Sequence, residues 1–213
     1  TYEDYEEQYN VGELYDVCCV ANKIKPLAAL DLSSINGLDI IRDSLENNML
    51  NRKLFYRIIY YLNTIKLPNF QWYSEHGNYL RNVFFHPNIC DSEGATGNSE
   101  GTTGYSDSEA RTNALKLMLV LHTDYFDINE LDFHIAIGYL LGYDIKRIKG
   151  YLLRNTNYRL YIEDIENSDS YVRKKIKDIN SWIIDEEYVF QNYPIKLYIG
   201  VEARFYTNFE DIL

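Results

Sequence analysis

The sequence predicts a mainly α protein, a compact domain of about six to seven helices with a minor β element that includes a C-terminal strand. Three observations lead there. Apolar residues recur at helical spacing in several separate stretches. A single run near the end switches to a period of two. The overall composition, 46% apolar and 25% charged, is that of a folded chain rather than a disordered one.

The elements follow in chain order. Residues 1–16, TYEDYEEQYNVGELYD, hold six acids and no base and read as an acidic, tyrosine-rich arm that frays and keeps the protein soluble, docks on a basic partner, or mimics nucleic-acid charge, in that order. Leu14 to Ala21 is apolar and reads as a strand or a short buried helix. DLSSING, residues 31–37, is turn chemistry ending in Asn36-Gly37. Leu38, Ile41, Leu45 and Met49 then space a helix. A second helix from about Asn51 to Lys66 carries Leu54, Phe55, Ile58, Tyr61, Leu62 and Ile65, is apolar on both faces, and is expected at the centre of the core. Pro68 stops it. Phe70 to Phe85 is aromatic-rich and mixed, with a short helix from Asn78 as the expectation.

Asn88 to Asp107 contains four glycines and no large aliphatic side chain apart from Ile89, which makes it a polar loop. It divides the chain into an N-terminal half, 1–88, a loop, 89–107, and a second half, 108–213, expected to form one globular domain overall. Ser106 or Ser108 can cap the next helix, whose apolar face holds Ala114, Leu117, Met118 and Leu121. Helices follow over about 129–141, 145–154 and 170–184, the last spaced by Val172, Ile176, Ile179 and Ile183. From Leu197 to Phe205, apolar and polar residues alternate. That pattern is a half-buried strand with Leu197 and Ile199 inward, and Tyr15–Val20 and Tyr158–Ile162 are its candidate partners.

Composition narrows the function. Lys plus Arg number 21 against 32 acids, for a net charge of −11, which disfavours bulk nucleic-acid or anionic-membrane binding. No run of about 18 apolar residues exists to span a membrane. Cys18, Cys19 and Cys90 are an odd set including a vicinal pair, which is no disulfide framework. The chain opens at Thr1 without a basic-then-apolar leader, so an intracellular (cytoplasmic or nuclear) or virion location is expected. Twenty-one tyrosines, with abundant Ile and Asn, reflect AT-rich codons and suggest an AT-rich genome, that of a large DNA virus, a phage, a parasite or a ciliate, with a virus- or phage-encoded protein as the expectation. Tyrosine also suits protein interfaces, because it offers amphipathic area at low entropic cost.

Local catalytic signatures are absent: there is no phosphate loop, GxSxG, HExxH, CxxC, dinucleotide fingerprint or EF-hand loop. His86 and Cys90, with His76, have no spacing that supplies a base and an orienting group. The leading expectation is therefore a non-enzymatic interaction or accessory protein without a cofactor. It would bind other proteins, including basic ones or a larger assembly, through Tyr2, Tyr5, Tyr9 and Tyr15 of the arm.

One segment offers an alternative. In NELDFHIAIGYLLGYDIKRIKGYL, residues 129–152, two helices flank a three-residue break. Gly138 lets the helices approach, Gly142 suits a left-handed turn, and Ile137, Leu141, Ile148 and Tyr151 fall between the helices. The second helix exposes Lys146, Arg147 and Lys149, followed by Arg154. The segment resembles the helix-turn-helix motif of DNA-binding regulators, which implies a recognition helix carrying those four cations. It departs from that motif in lacking Ser, Thr, Asn or Gln at base-reading positions, and Gly150 weakens the second helix. A third reading places a divalent metal for hydrolysis on His122, Asp124, Asp132 and His134, although residues i and i+2 of a helix point apart.

Overall fold

The computed structural model describes residues 15–33, 60–61, 64–73, 79–86, 107–163 and 168–200. The protein is mainly α with a minor antiparallel sheet. Strands β1 (Leu27–Ser33), β2 (Pro68–Tyr73), β3 (Tyr79–Phe85) and β4 (Ile195–Ile199) lie in the order β1-β3-β2-β4. Six helices follow β3: α1 (Asp107–His122), α2 (Glu130–Leu140), α3 (Ile145–Arg154), α4 (Thr156–Glu163), α5 (Ser168–Ser181) and α6 (Glu186–Asn192). Residues 15–21 are also helical, which settles the ambiguity of that apolar stretch.

The sheet holds the largest departures from the sequence expectations. Tyr79 to Phe85 is a strand rather than a helix from Asn78, paired with β2 so that Phe70 faces Val83 and Trp72 faces Arg81. Aromatic and β-branched residues suit a pleated surface buried on both sides, and here Val83, Phe84 and Phe85 are all buried. Asp31 to Ser33, read as a turn, completes β1, because its backbone groups find partners on β3. The partner of β4 is β2; both anticipated partners, Tyr15–Val20 and Tyr158–Ile162, are helical. Leu197 and Ile199 were expected inward, yet both are exposed, and only Ile195 is buried. An outermost strand runs past the limit of the core, so alternation no longer reports burial there.

Of the helix expected at the centre over residues 51–66, residues 51–59, 62 and 63 lie outside the described residues; among the described helices α1 is the central one. Residues 113 to 120 are buried without interruption, so α1 is enclosed on all sides. Of the earlier stretch, the described Tyr60, Tyr61 and Ile65 are exposed. The helix expected from Leu38 and the loop 89–106 lie outside the described residues. One apolar cluster joins Leu27, Phe70, Val83 and Phe85 of the sheet to Ala114, Leu117 and Met118 of α1 and Ile135 and Leu140 of α2. Helix α1 lies on the Phe70–Trp72 face: the Arg111 guanidinium is 5.6 Å from the Phe70 centroid, and His122 stacks on Trp72 at 4.4 Å. On the other face Asn69, Gln71 and Asn82 are fully buried. Asn82 Nδ2 donates to Asn69 Oδ1 at 3.0 Å, and Asn69 Nδ2 donates to the Gly200 carbonyl at 2.6 Å, linking three strands' worth of backbone through amides.

Polar contacts set the remaining helices on this core. Arg111 holds Glu186 in a bidentate pair, tying α1 to α6. Lys116, almost fully buried, donates from Nζ to the carbonyls of Ile179 and Asn180 at 2.9 and 3.3 Å. A cation there satisfies the orphan carbonyls at the end of α5. Asp132 of α2 accepts from Tyr171 Oη at 2.8 Å and from Lys175 Nζ at 2.6 Å, fixing α5 against α2. Tyr158 of α4 donates to Glu130 at 2.6 Å, a bond that pushes the phenol up to about 12.

Candidate nucleic-acid interface

Local chemistry builds the α2–α3 hairpin. Asn129 caps α2 by accepting from Asp132 N at 2.9 Å, and Asp144 caps α3 by accepting from Arg147 N at 2.8 Å. Between them Gly142 has φ +84. Gly142 N donates to Tyr139 O and Tyr143 N to Gly138 O, both at 2.9 Å, the paired bonds of a Schellman terminus. A Cβ at Gly142 would also meet Pro26 Cγ at 2.7 Å. Gly138 lies against Ile148, so the close approach expected of it is present. Ile148 and Leu152, four residues apart, form the buried seam of α3. Tyr151, placed between the helices by the sequence reading, is instead 53% exposed at the edge of that seam, with its ring 5.6 Å from His134.

With the seam turned inward, the opposite side of α3 opens on a groove of about 1050 Å³ shared with α5. Lys146, Arg147, Lys149 and Arg154 all line it. The structure adds Arg173 from α5, which the sequence reading did not single out. Lys146, Arg147, Arg154 and Arg173 are exposed, and Arg147 Nε is 3.7 Å from Asp144. Lys149 is less exposed and pairs with Asp169, the first residue but one of α5. That ammonium holds the Asp169 carboxyl below its usual range and clips α3 to α5 across the groove floor. Gly150 has open space where a Cβ would stand, and Leu153 adds an apolar patch to the rim. Residues 144–181 hold nine of the chain's 21 Lys and Arg against six Asp and Glu, so an acidic protein carries a net positive segment here.

The other candidate residues are dispersed. His122 stacks on Trp72, Asp132 is bound by Lys175 and Tyr171, and His134 sits among Phe133, Tyr151 and Tyr158, 4.8 Å from the last ring. Asp124 is exposed in the α1–α2 connection. Among the described residues no three His, Cys, Asp or Glu side chains gather as a group able to hold a metal ion. The proposed set therefore does not converge, because Asp132 and His134 point to different neighbours along α2. Tyr15 is exposed at the start of the helical segment 15–21, while Tyr2, Tyr5 and Tyr9 lie outside the described residues. Among the described residues no helix is long and apolar enough to cross a membrane.

The chain has no significant match to a protein-family model, to a curated protein or to a solved structure.

Proposed function

We propose that this protein is a nucleic-acid-binding module that grips the phosphate backbone in the groove between α3 and α5. The observation that carries the reading is the convergence of Arg173 from α5 on Lys146, Arg147 and Arg154 of α3 around one open groove. Guanidinium and ammonium groups release condensed counterions when they contact phosphates, so a local cluster binds even where the net charge is negative. The capped α2–α3 hairpin supports the same reading, since it presents the exposed side of α3 on a fixed turn. The absence of Ser, Thr, Asn and Gln from α3 favours backbone contacts over base reading.

Fluorescence anisotropy against random-sequence duplex and single-stranded DNA at about 50 and 200 mM salt tests this. Four phosphate contacts weaken binding on the order of 100-fold over that range. Replacing Lys146, Arg154 and Arg173 together by alanine lowers the salt slope by about 3. Absence of binding at the lower salt, or a slope unmoved by the triple variant, refutes the reading.

A second reading, protein–protein interaction, has its own support. Leu197 and Ile199 are exposed on β4, the end strand of the order β1-β3-β2-β4. An apolar end strand is a template for an added strand. If it serves that purpose, Leu197→Lys with Ile199→Lys abolishes partner capture or self-association, read by light scattering on a sizing column. Unchanged association in that variant removes this surface from consideration.

A further inference from the structure

Three tyrosines from separate parts of the chain meet beside Asp124. Tyr125 lies in the connection between α1 and α2, Tyr188 in α6, and Tyr193 immediately after α6. Their ring centroids form a nearly equilateral triangle, with separations of 6.3 Å for Tyr125–Tyr188, 6.2 Å for Tyr125–Tyr193 and 6.4 Å for Tyr188–Tyr193. The planes are inclined at 50°, 69° and 70°. No pair is stacked: Tyr193 meets both partners edge-on, and Tyr125 and Tyr188 are tilted against each other. Three rings inclined to one another by 50–70°, with centroids 6.2 to 6.4 Å apart, leave a common point within ~6 Å of every centroid, the range over which a cation is attracted to an aromatic ring.

The arrangement is held in place before any ligand arrives. Asp185 N donates to Tyr125 Oη at 3.1 Å, and the Asp185 carboxylate accepts from Tyr188 N at 3.1 Å, so one residue positions two of the rings. Tyr193 N donates to the Val189 carbonyl at 2.9 Å, fixing the third. Phe126, next to Tyr125, stacks on Trp182 at 4.1 Å and anchors the connection. The surroundings are acidic. Asp124 adjoins Tyr125 in sequence, and Asp185, the N-cap of α6, and Glu187 precede Tyr188 within its first turn. The Tyr193 phenol is pushed up, first by burial and then by the charge of Asp124. Tyr188 is 49% exposed, so the cluster is reachable from solvent.

We propose that Tyr125, Tyr188 and Tyr193 form an aromatic cage that binds a methylated ammonium group, with Asp124 supplying long-range attraction. A bare ammonium is strongly hydrated and loses more on leaving water than three ring faces return. A trimethylammonium is weakly hydrated, keeps its charge and fills the space with methyl groups, which is the combination aromatic cages recognise. The cage stands on different residues from the α3–α5 groove and does not depend on it. Its ligand chemistry occurs both on trimethyl-lysine side chains and on small quaternary amines such as choline.

The test uses the full chain and follows the N-methyl proton resonance of the titrant, which ring currents shift upfield. Tetramethylammonium is the first probe, and the neutral isostere 3,3-dimethylbutan-1-ol is the control. A saturable upfield shift with the cation and none with the alcohol is expected. Tyr188→Ala should weaken the cation by about 2- to 30-fold, the range that one ring contributes, while Tyr188→Phe retains it. Choline and a peptide bearing trimethyl-lysine then compete with the probe: tighter binding of one assigns the source, and equal binding shows the methylated head to be the whole recognised group. Equal response to cation and alcohol, no saturable shift, or an unaltered Tyr188→Ala variant with an unchanged circular dichroism spectrum overturns the proposal.

Discussion

A Cβ added to Gly138 would stand 2.9 Å from Cγ1 of Ile148, closer than side chains pack. Ile148 is buried, so it has little room to withdraw. Gly138→Ala is therefore expected to destabilise the fold by about 1–2 kcal/mol, overpacking outweighing the gain of up to ~1 kcal/mol in helix propensity. The midpoint of urea unfolding checks it. In an Ile148→Ala background the same change becomes neutral or stabilising, because the atom it meets is gone; equal cost in both backgrounds argues against the contact as the cause.

Gly150, on the same hairpin, behaves oppositely. Open space surrounds the position of its absent Cβ. Gly150→Ala is expected to stabilise α3 by roughly 0.5–1 kcal/mol, through the conformational entropy that glycine loses in a helix. Thermal unfolding reads the gain, and a fall in melting temperature contradicts the open environment.

Asp132 ties α2 to α5. Its carboxylate receives Lys175, Tyr171 and the Asn129 side chain. Asp132→Ala leaves an ammonium and a phenol with one fewer partner and should cost about 1–3 kcal/mol. Pairing it with Lys175→Met should recover much of that loss, since no charge then lacks its partner. A double-mutant cycle in denaturant that shows no coupling between the two positions would contradict the link.

His134 introduces a pH dependence. Burial among Phe133, Tyr151 and Tyr158 lowers its pKa, while the nearby Glu130 charge opposes the shift. A folded pKa below the unfolded value of about 6.5 means that the unfolded chain takes up the proton first as pH falls. The stability from neutral His134 is thus fully present above that value and is lost as pH drops through the folded one. Wild type should lose stability relative to His134→Phe from pH 7.5 to pH 5; a difference constant with pH would show that the imidazole stays neutral or is equally solvated in both states.

Legibility in the sequence tracked how local each determinant is. The hairpin over 129–154 was readable because Gly142 at φ +84, the Asn129 and Asp144 caps and the Ile148–Leu152 seam all act within a few residues. The hairpin of β2 and β3 was not, because Phe70 to Phe85 is apolar without a clear period and its strands are defined by pairing. Helices α4 and α6 span eight and seven residues, too short for a period to emerge. Four cations of the groove were visible on α3, but Arg173 joins them only through the packing of α5.

By itself, then, the sequence determined what short-range chemistry controls: the predominance of helix, the turn at Gly142, the basic side of α3 and the existence of a strand after Pro194. Tertiary structure decided which segments lie at the centre and which at the edge. It enclosed α1 between the sheet and α2, left Leu197 and Ile199 of the terminal strand exposed, and brought Tyr125 to Tyr188 and Tyr193 across more than sixty residues. The reason is physical. Caps and turns are satisfied by neighbours a few positions away, whereas burial and strand pairing depend on partners whose position in the chain no local pattern encodes.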